Sequence, residues 1–124
     1  MLKVLVAEDE ANYRELIETA LRDAGYEVIS AVSGTEAFKK LKEKPDMAVL
    51  DVNMPGMSGF ELCEKIRQDP GAGRMPILIL TVLSETRKQV QGYGAGADDY
   101  LPKPFSLEVF IARLKKLQQR ILGK

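Results

Sequence analysis

Short apolar runs and longer amphipathic stretches take turns along the whole chain. VLVA, EVISA, MAVLD, ILILT and DYLP are runs of four or five residues. After them, in turn, come ANYRELIETALRDAG, SGTEAFKKLKEK, SGFELCEKIRQD, ETRKQVQGYGAG and SLEVFIARLKKLQQRIL. The pattern predicts five strands and five helices in strict alternation. Each connection is long enough for a helical crossover, and strands buried on both faces read as continuous apolar runs, so the expected architecture is a parallel sheet with helices on both sides.

Several boundaries carry their own signals. Gly25 follows the first helix as a terminating glycine would, and Ser33 with Glu36 three residues on forms a capping box opening the second. In the last helix Leu107, Phe110, Ile111, Leu114, Leu117 and Ile121 recur near a 3.6-residue period and mark one buried stripe, belonging to the core or to an interface. The few basic residues beside it are mixed with Gln, which argues against a membrane-bound helix. No linker, repeat or low-complexity segment interrupts the alternation, so residues 1–124 are expected to form one domain, either stand-alone or excised from a longer protein.

Composition narrows the chemistry. Eighteen basic residues balance 18 acidic ones, so an electrostatic grip on nucleic acid or on a membrane surface is not indicated. The single cysteine, Cys63, has no partner for an internal disulfide and reads as a small buried hydrophobe, which suits a reducing compartment. MLKVLVAEDE offers only a few apolar residues before three acids, neither a signal peptide nor a membrane span, and a cytoplasmic location is expected. With no histidine in the chain, a histidine base, a Ser-His-Asp triad and a histidine-ligated zinc are excluded. Any metal must be a hard one bound through oxygen.

In an open parallel sheet the ligand site lies beyond the carboxyl ends of the strands, where the winding reverses. The first strand ends at Ala7 and runs into Glu8 and Asp9, the third ends on Asp51, the fourth on Thr81, and the fifth runs into Lys103. The second ends in Ser30-Ala31, without charge. Singly, each residue has an ordinary explanation. Glu8 and Asp9 could cap the first helix, Asp51 could open its turn, Thr81 suits a strand, and Lys103 could be solvated. Together they place three carboxylates, a hydroxyl and an amine at one edge. Packed carboxylates repel unless cations lie among them, and a divalent ion plus one lysine is the economical solution, with Mg²⁺ the best fit because it leaves room for a substrate phosphate. A carboxylate beside such an ion, a lysine and a hydroxyl can attack phosphorus as a nucleophile. No general base is required, because carboxylates are ionised at neutral pH.

These motifs carry a family resemblance. Glu8-Asp9, Asp51 in VLDVNMPGMSG, Thr81 in ILILT and Lys103 in ADDYLPKPF stand in order at the right strand ends, and from end to end the chain resembles the receiver domain of two-component response regulators. The resemblance implies a flavodoxin-like, doubly wound (βα)5 sandwich of strand order 2-1-3-4-5. It implies that Asp51 accepts a phosphoryl group from a sensor histidine kinase or histidine phosphotransfer protein, with Lys103 and Thr81 assisting. Mg²⁺ would be held by Asp9, Asp51 and the backbone carbonyl of Asn53, with Glu8 acting mainly through water. Thr81 and Tyr100 would be the switch pair, and Lys103-Pro104 resembles the family's cis peptide. The readout would be the face made by the helix expected over 85–96, the fifth strand and the last helix, acting on an output domain or effector protein. Such a domain is not an enzyme in its own right, although Mg²⁺-dependent self-phosphorylation from small donors and slow autodephosphorylation are expected.

Departures from the family pattern matter too. Glu-Asp replaces the more common acid pair Asp-Asp, and Val82 stands where a smaller residue is usual. Asn53 and Leu83 flank the expected path of the hydrolytic water, and Leu83 offers it no polar group, so slow-to-moderate loss of the phosphoryl group is expected. Asp99, Arg113 and Arg120 resemble members of a salt-bridged homodimer face, but Gln89, Ala95 and Val109 stand where that branch usually carries charges, and the set is incomplete. Among rival readings, a haloacid-dehalogenase-like phosphatase needs an acid at the position of Asn53. A flavodoxin-like binding protein needs a phosphate cradle that AEDEANYR does not provide. A receiver-like interaction module working without phosphorylation would fold identically, and only the intact acid, threonine and lysine set argues against it.

Overall fold

The structure, a computed structural model, describes residues 1–82 and 96–124. Five parallel strands, β1 (Lys3–Ala7), β2 (Glu27–Ala31), β3 (Met47–Asp51), β4 (Ile77–Val82) and β5 (Asp99–Lys103), pair in the order β2-β1-β3-β4-β5. The described helices are α1 (Ala11–Asp23), α2 (Gly34–Lys39), α3 (Gly59–Gln68) and α4 (Leu107–Leu117). A 3-10 turn, Lys40–Glu43, extends α2, and a π-helical turn, Gln118–Leu122, extends α4. The helix expected over 85–96 lies, all but its last residue Gly96, outside the described residues, as do Leu83, Gln89 and Ala95.

Why the strands read as unbroken apolar runs is visible in the two cores. Val4 and Val6 of β1, Met47 and Val49 of β3, and Leu78 and Leu80 of β4 face one side, where Ile17 and Leu21 of α1 and Phe110, Leu114 and Leu117 of α4 cover them. The intervening Leu5, Ala7, Ala48, Leu50, Ile77 and Ile79 face the other side, under Ala37 of α2 and Phe60, Leu62, Cys63 and Ile66 of α3. Successive strand residues point to opposite faces, so both parities must be apolar when both faces are covered. Edge strand β2 has one well-covered face and alternates: Ile29 and Ala31 are buried, while Val28 and Ser30 are partly exposed.

Local signals set the helix ends. Gly25 adopts φ +93° just past α1, a conformation a Cβ would strain, and its N–H bonds the Arg22 carbonyl. Ser33 Oγ accepts from the Glu36 N–H at 3.1 Å, and Glu36 Oε1 accepts in return from the Val32 N–H at 3.0 Å. The reciprocal half of the expected capping box therefore lands one residue earlier than in the ideal motif. Ser58 and Ser106 cap α3 and α4 through Glu61 N–H and Val109 N–H.

Candidate functional site

The register of the sheet brings the strand ends together. Ala7 lies opposite Ala31 on one side and Leu50 on the other, Asp51 lies opposite Leu80, Thr81 opposite Pro102, and Val82 opposite Lys103. Glu8 continues the ladder beyond β1 by donating its N–H to the Ala31 carbonyl at 3.2 Å. Its backbone is thus fixed at the rim before its side chain makes any contact.

Glu8 and Asp51 are buried, at 1% and 4% exposure, whereas Asp9 is exposed. One carboxylate oxygen from each of Glu8, Asp9 and Asp51 lies within 4.8 Å of the other two. Lys103 Nζ bridges two of these acids, 2.8 Å from Asp51 Oδ1 and 2.9 Å from Glu8 Oε1. Burial of two carboxylates without cations would cost several kcal/mol, on the order of the penalty known for uncompensated buried ions. Among the described residues one ammonium faces three carboxylates, which leaves this set short of positive charge.

The electrostatics show the shortfall. Burial, aided by the charge of Asp51, pushes the Glu8 carboxyl up to about 7 against the opposing pull of Lys103. Burial draws the Lys103 ammonium down, but its hydrogen bonds to Asp51 and Glu8 and their charges outweigh this and leave it above the ordinary lysine value. An acid driven toward neutrality beside two others is what a divalent cation relieves, and an all-oxygen donor set suits a hard ion. The residues present therefore fit Mg²⁺.

Backbone packing holds Asp51 in place. Val52 donates its N–H to the Leu80 carbonyl at 3.0 Å, and Gly59, opening α3, donates to the Val52 carbonyl at 3.1 Å. A Cβ at Gly59 would sit 2.3 Å from the Asp51 carbonyl oxygen, so only glycine lets α3 start this close beneath the site. Asn53 is exposed on the loop beyond. Thr81 is buried at the end of β4, and its hydroxyl donates to the Val82 carbonyl at 3.2 Å. Val82 is 38% exposed beside it. The Lys103–Pro104 peptide bond is cis.

Glu8, Asp9, Asp51 and Lys103 are brought together, and Thr81 stands at the same edge. Tyr100 lies farther back on β5, half-buried, its ring 6.1 Å from that of Phe60. Asp99, Arg113 and Arg120 lie off the cluster. Within the chain Asp99 pairs with Arg113 at 3.2 Å, while Arg120 Nη2 donates to the Asp98 carbonyl at 3.5 Å. A groove of about 830 Å³ between α1 and α4, lined by Leu16, Ala20, Leu107 and Ile111 among others, contains none of the clustered acids.

Three side chains near the cluster were not singled out from the sequence. Glu10, rather than Glu8 or Asp9, caps α1, accepting from the N–H groups of Asn12 at 3.1 Å and Tyr13 at 2.6 Å. Arg14 Nη1 donates to the Glu8 carbonyl at 2.9 Å. The Tyr13 ring lies under Lys103. A run of three acids hides which one caps, although Glu10 immediately precedes the first helical residue and was the best-placed candidate.

Comparison with known proteins bears on this arrangement. The family described as "Response regulator receiver domain" matches residues 4–115. The phosphate regulon transcriptional regulatory protein PhoB of Rhizobium meliloti is 42% identical over 119 residues, 95% of this chain and 52% of that protein. The DNA-binding dual master transcriptional regulator RpaA of Synechocystis is 36% identical over 121 residues, 97% of this chain and 50% of that protein. The chain thus spans about half the length of the curated relatives it matches. Among solved structures, the Vibrio cholerae chemotaxis protein CheY4 superposes with a TM-score of 0.87 at 37% identity, covering 94% of this chain and 98% of that one. Among the described residues no helix is long and apolar enough to cross a membrane.

Proposed function

The chain belongs to the response regulator receiver family, and from that membership we propose that it is a phosphorylation-dependent switch whose phosphoacceptor is Asp51. The supporting observation is a buried carboxylate at the end of β3 with an ammonium 2.8 Å away and two further acids within reach of a shared cation.

In this reading a carboxylate oxygen of Asp51 attacks phosphorus. The donor's bond to phosphorus breaks, its electron pair leaves with the donor, and an aspartyl phosphate remains. Because this chain has no histidine, the donor's histidine belongs to a sensor kinase or phosphotransfer protein. Lys103 neutralises charge on the transferring oxygens and exchanges its contact with the carboxylate for one with the phosphoryl group. Thr81 offers its hydroxyl to another phosphoryl oxygen, and Tyr100 follows it toward the space behind. Asp9, Asp51 and the Asn53 carbonyl would hold Mg²⁺, with Glu8 acting through water, and the ion would supply the remaining charge neutralisation. Self-phosphorylation from small donors and slow dephosphorylation, set at Asn53 and Leu83, belong to the same reading.

The matched relatives are transcriptional regulators about twice as long as this chain. We infer that here too the phosphorylated state is read by an output domain or effector, in the cytoplasm, and that β5 and α4 contribute to the face that is read, with Asp99, Arg113 and Arg120 available for a homodimer. The assignment of Asp51 is tested by mass spectrometry after incubation with acetyl phosphate and Mg²⁺. One phosphoryl adduct is expected on the parent and none on Asp51→Asn. An equal adduct on both proteins overturns the assignment, and no adduct on either favours an interaction module that works without phosphate.

A further inference from the structure

We propose that Tyr13 is a positioning residue for Lys103, its ring serving as the third wall of a cage that fixes the ammonium before any phosphoryl group arrives. The inference rests on the reading of Asp51 as phosphoacceptor for its functional consequence, although the placement itself does not.

Lys103 Nζ lies 4.2 Å from the centroid of the Tyr13 ring, inside the roughly 6 Å range over which an aromatic face attracts a cation. Two of its three N–H groups are taken by Asp51 Oδ1 and Glu8 Oε1. Lysine is a flexible four-carbon stem ending in a point charge, and two carboxylates on one side do not stop that stem from swinging outward. The ring closes the remaining side, and the Lys103 side chain is only 21% exposed.

The ring is itself held. Its backbone N–H is tied to Glu10 Oε2 at 2.6 Å in the first turn of α1. It packs edge-to-face with Phe105, the ring centroids 5.9 Å apart and the planes at 82°. Phe105 in turn packs on Phe110 at 5.7 Å, and Phe110 is fully buried in the core between α4 and the sheet. An aromatic relay thus runs from the core to the ammonium, joining α1, which carries no acid of the cluster, to the lysine at the end of β5.

A catalytic group that is already in place loses less freedom when the reaction begins, so the ring should show in rate as well as in position. The position is read first, on metal-free protein, from the nuclear magnetic resonance signals of the Lys103 ε-methylene protons. Held over a ring face, they are expected upfield of those of lysines that face no ring, and farther upfield than those of Lys65, whose ammonium lies 5.6 Å from the Phe38 centroid. The shift should persist in Tyr13→Phe and vanish in Tyr13→Leu. With acetyl phosphate and Mg²⁺, Tyr13→Leu is expected to acquire the phosphoryl group roughly fivefold more slowly, and Tyr13→Phe to recover most of that loss, as a face interaction without need of the hydroxyl predicts.

Unshifted ε-protons in the parent overturn the placement, and that spectrum carries the test even if Tyr13→Leu does not fold. A parent-like rate in folded Tyr13→Leu, or a rate as low in Tyr13→Phe as in Tyr13→Leu, overturns the positioning role. A failure of the phosphoacceptor reading is distinguishable, because it appears as an adduct on Asp51→Asn or as no adduct on the parent, and neither alters the ε-proton shift that tests the placement.

Discussion

The most consequential single residue for conditions of use is Glu8. Its carboxyl is fixed at the rim by its own backbone, desolvated, and faced by Asp51, with Lys103 and a 3.4 Å hydrogen bond from the Glu10 N–H to compensate. Folding raises its protonation midpoint from an ordinary 4.5 to about 7. Between those values the folded chain holds a proton that the unfolded chain has lost, so this contribution to stability is complete below about pH 4.5 and disappears as pH rises through about 7. In chelator, the urea midpoint should therefore decline over that window, and the decline should be shallower in Glu8→Gln, whose amide cannot titrate. Millimolar Mg²⁺ should restore stability at the alkaline end, since a ligand that binds only the folded state stabilises it by mass action. A midpoint in Glu8→Gln that falls with pH as steeply as in the parent would show that Glu8 is not the titrating group.

Between elements, one hydrogen-bonded hub lies at the opposite end of the sheet from the acids and runs through Arg67 near the end of α3. Its Nε donates to the Gly96 carbonyl at 2.7 Å, Nη1 to the carbonyls of Met75 at 2.6 Å and Gly73 at 3.3 Å, and Nη2 to Asp98 Oδ2 at 2.8 Å. The same Asp98 oxygen accepts the Ile77 N–H, so one guanidinium ties α3 to the starts of both β4 and β5. Arg67→Met should cost about 2–3 kcal/mol in chemical denaturation, as carbonyls and a carboxylate lose a charged donor. Arg67→Lys should recover little, because a single ammonium cannot reproduce a planar fork. Full recovery with lysine would mean that charge alone matters there. This hub also shows where reading the sequence stopped. The strands and described helices were legible because burial on both sheet faces leaves unbroken apolar runs, and Asp51, Glu8 and Lys103 were legible because strand ends converge by topology. Arg67 was not, since its partners lie 6 to 31 residues away and nothing local distinguishes it from a solvated helix-end arginine. The Tyr13 ring escaped notice for the same reason: its place under Lys103 depends on how α1 meets the end of β5.

At the scale of the whole molecule the two cores share one sheet, so the helices on either side are expected to open together with the strands they cover. Cys63 reports on that coupling. It is fully buried on α3 in the cluster that includes Leu50, Ile66 and Ile77, and burial pushes its thiol up to about 11 from an ordinary 9.0. Reaction with a disulfide reagent needs both access and a thiolate, and the folded state withholds both. At pH 8 the folded protein should therefore label only through opening, at a rate that follows the unfolded population when closing is faster than labelling. Increasing urea should raise the labelling rate in step with the loss of helical circular dichroism, which is the behaviour of a single cooperative unit. Labelling that runs ahead of the dichroism would instead mean that α3 leaves the sheet on its own. In that event the packing of Gly59 beneath the Asp51 carbonyl would be a local and labile contact, and the geometry of the acidic rim would vary with the opening of one helix.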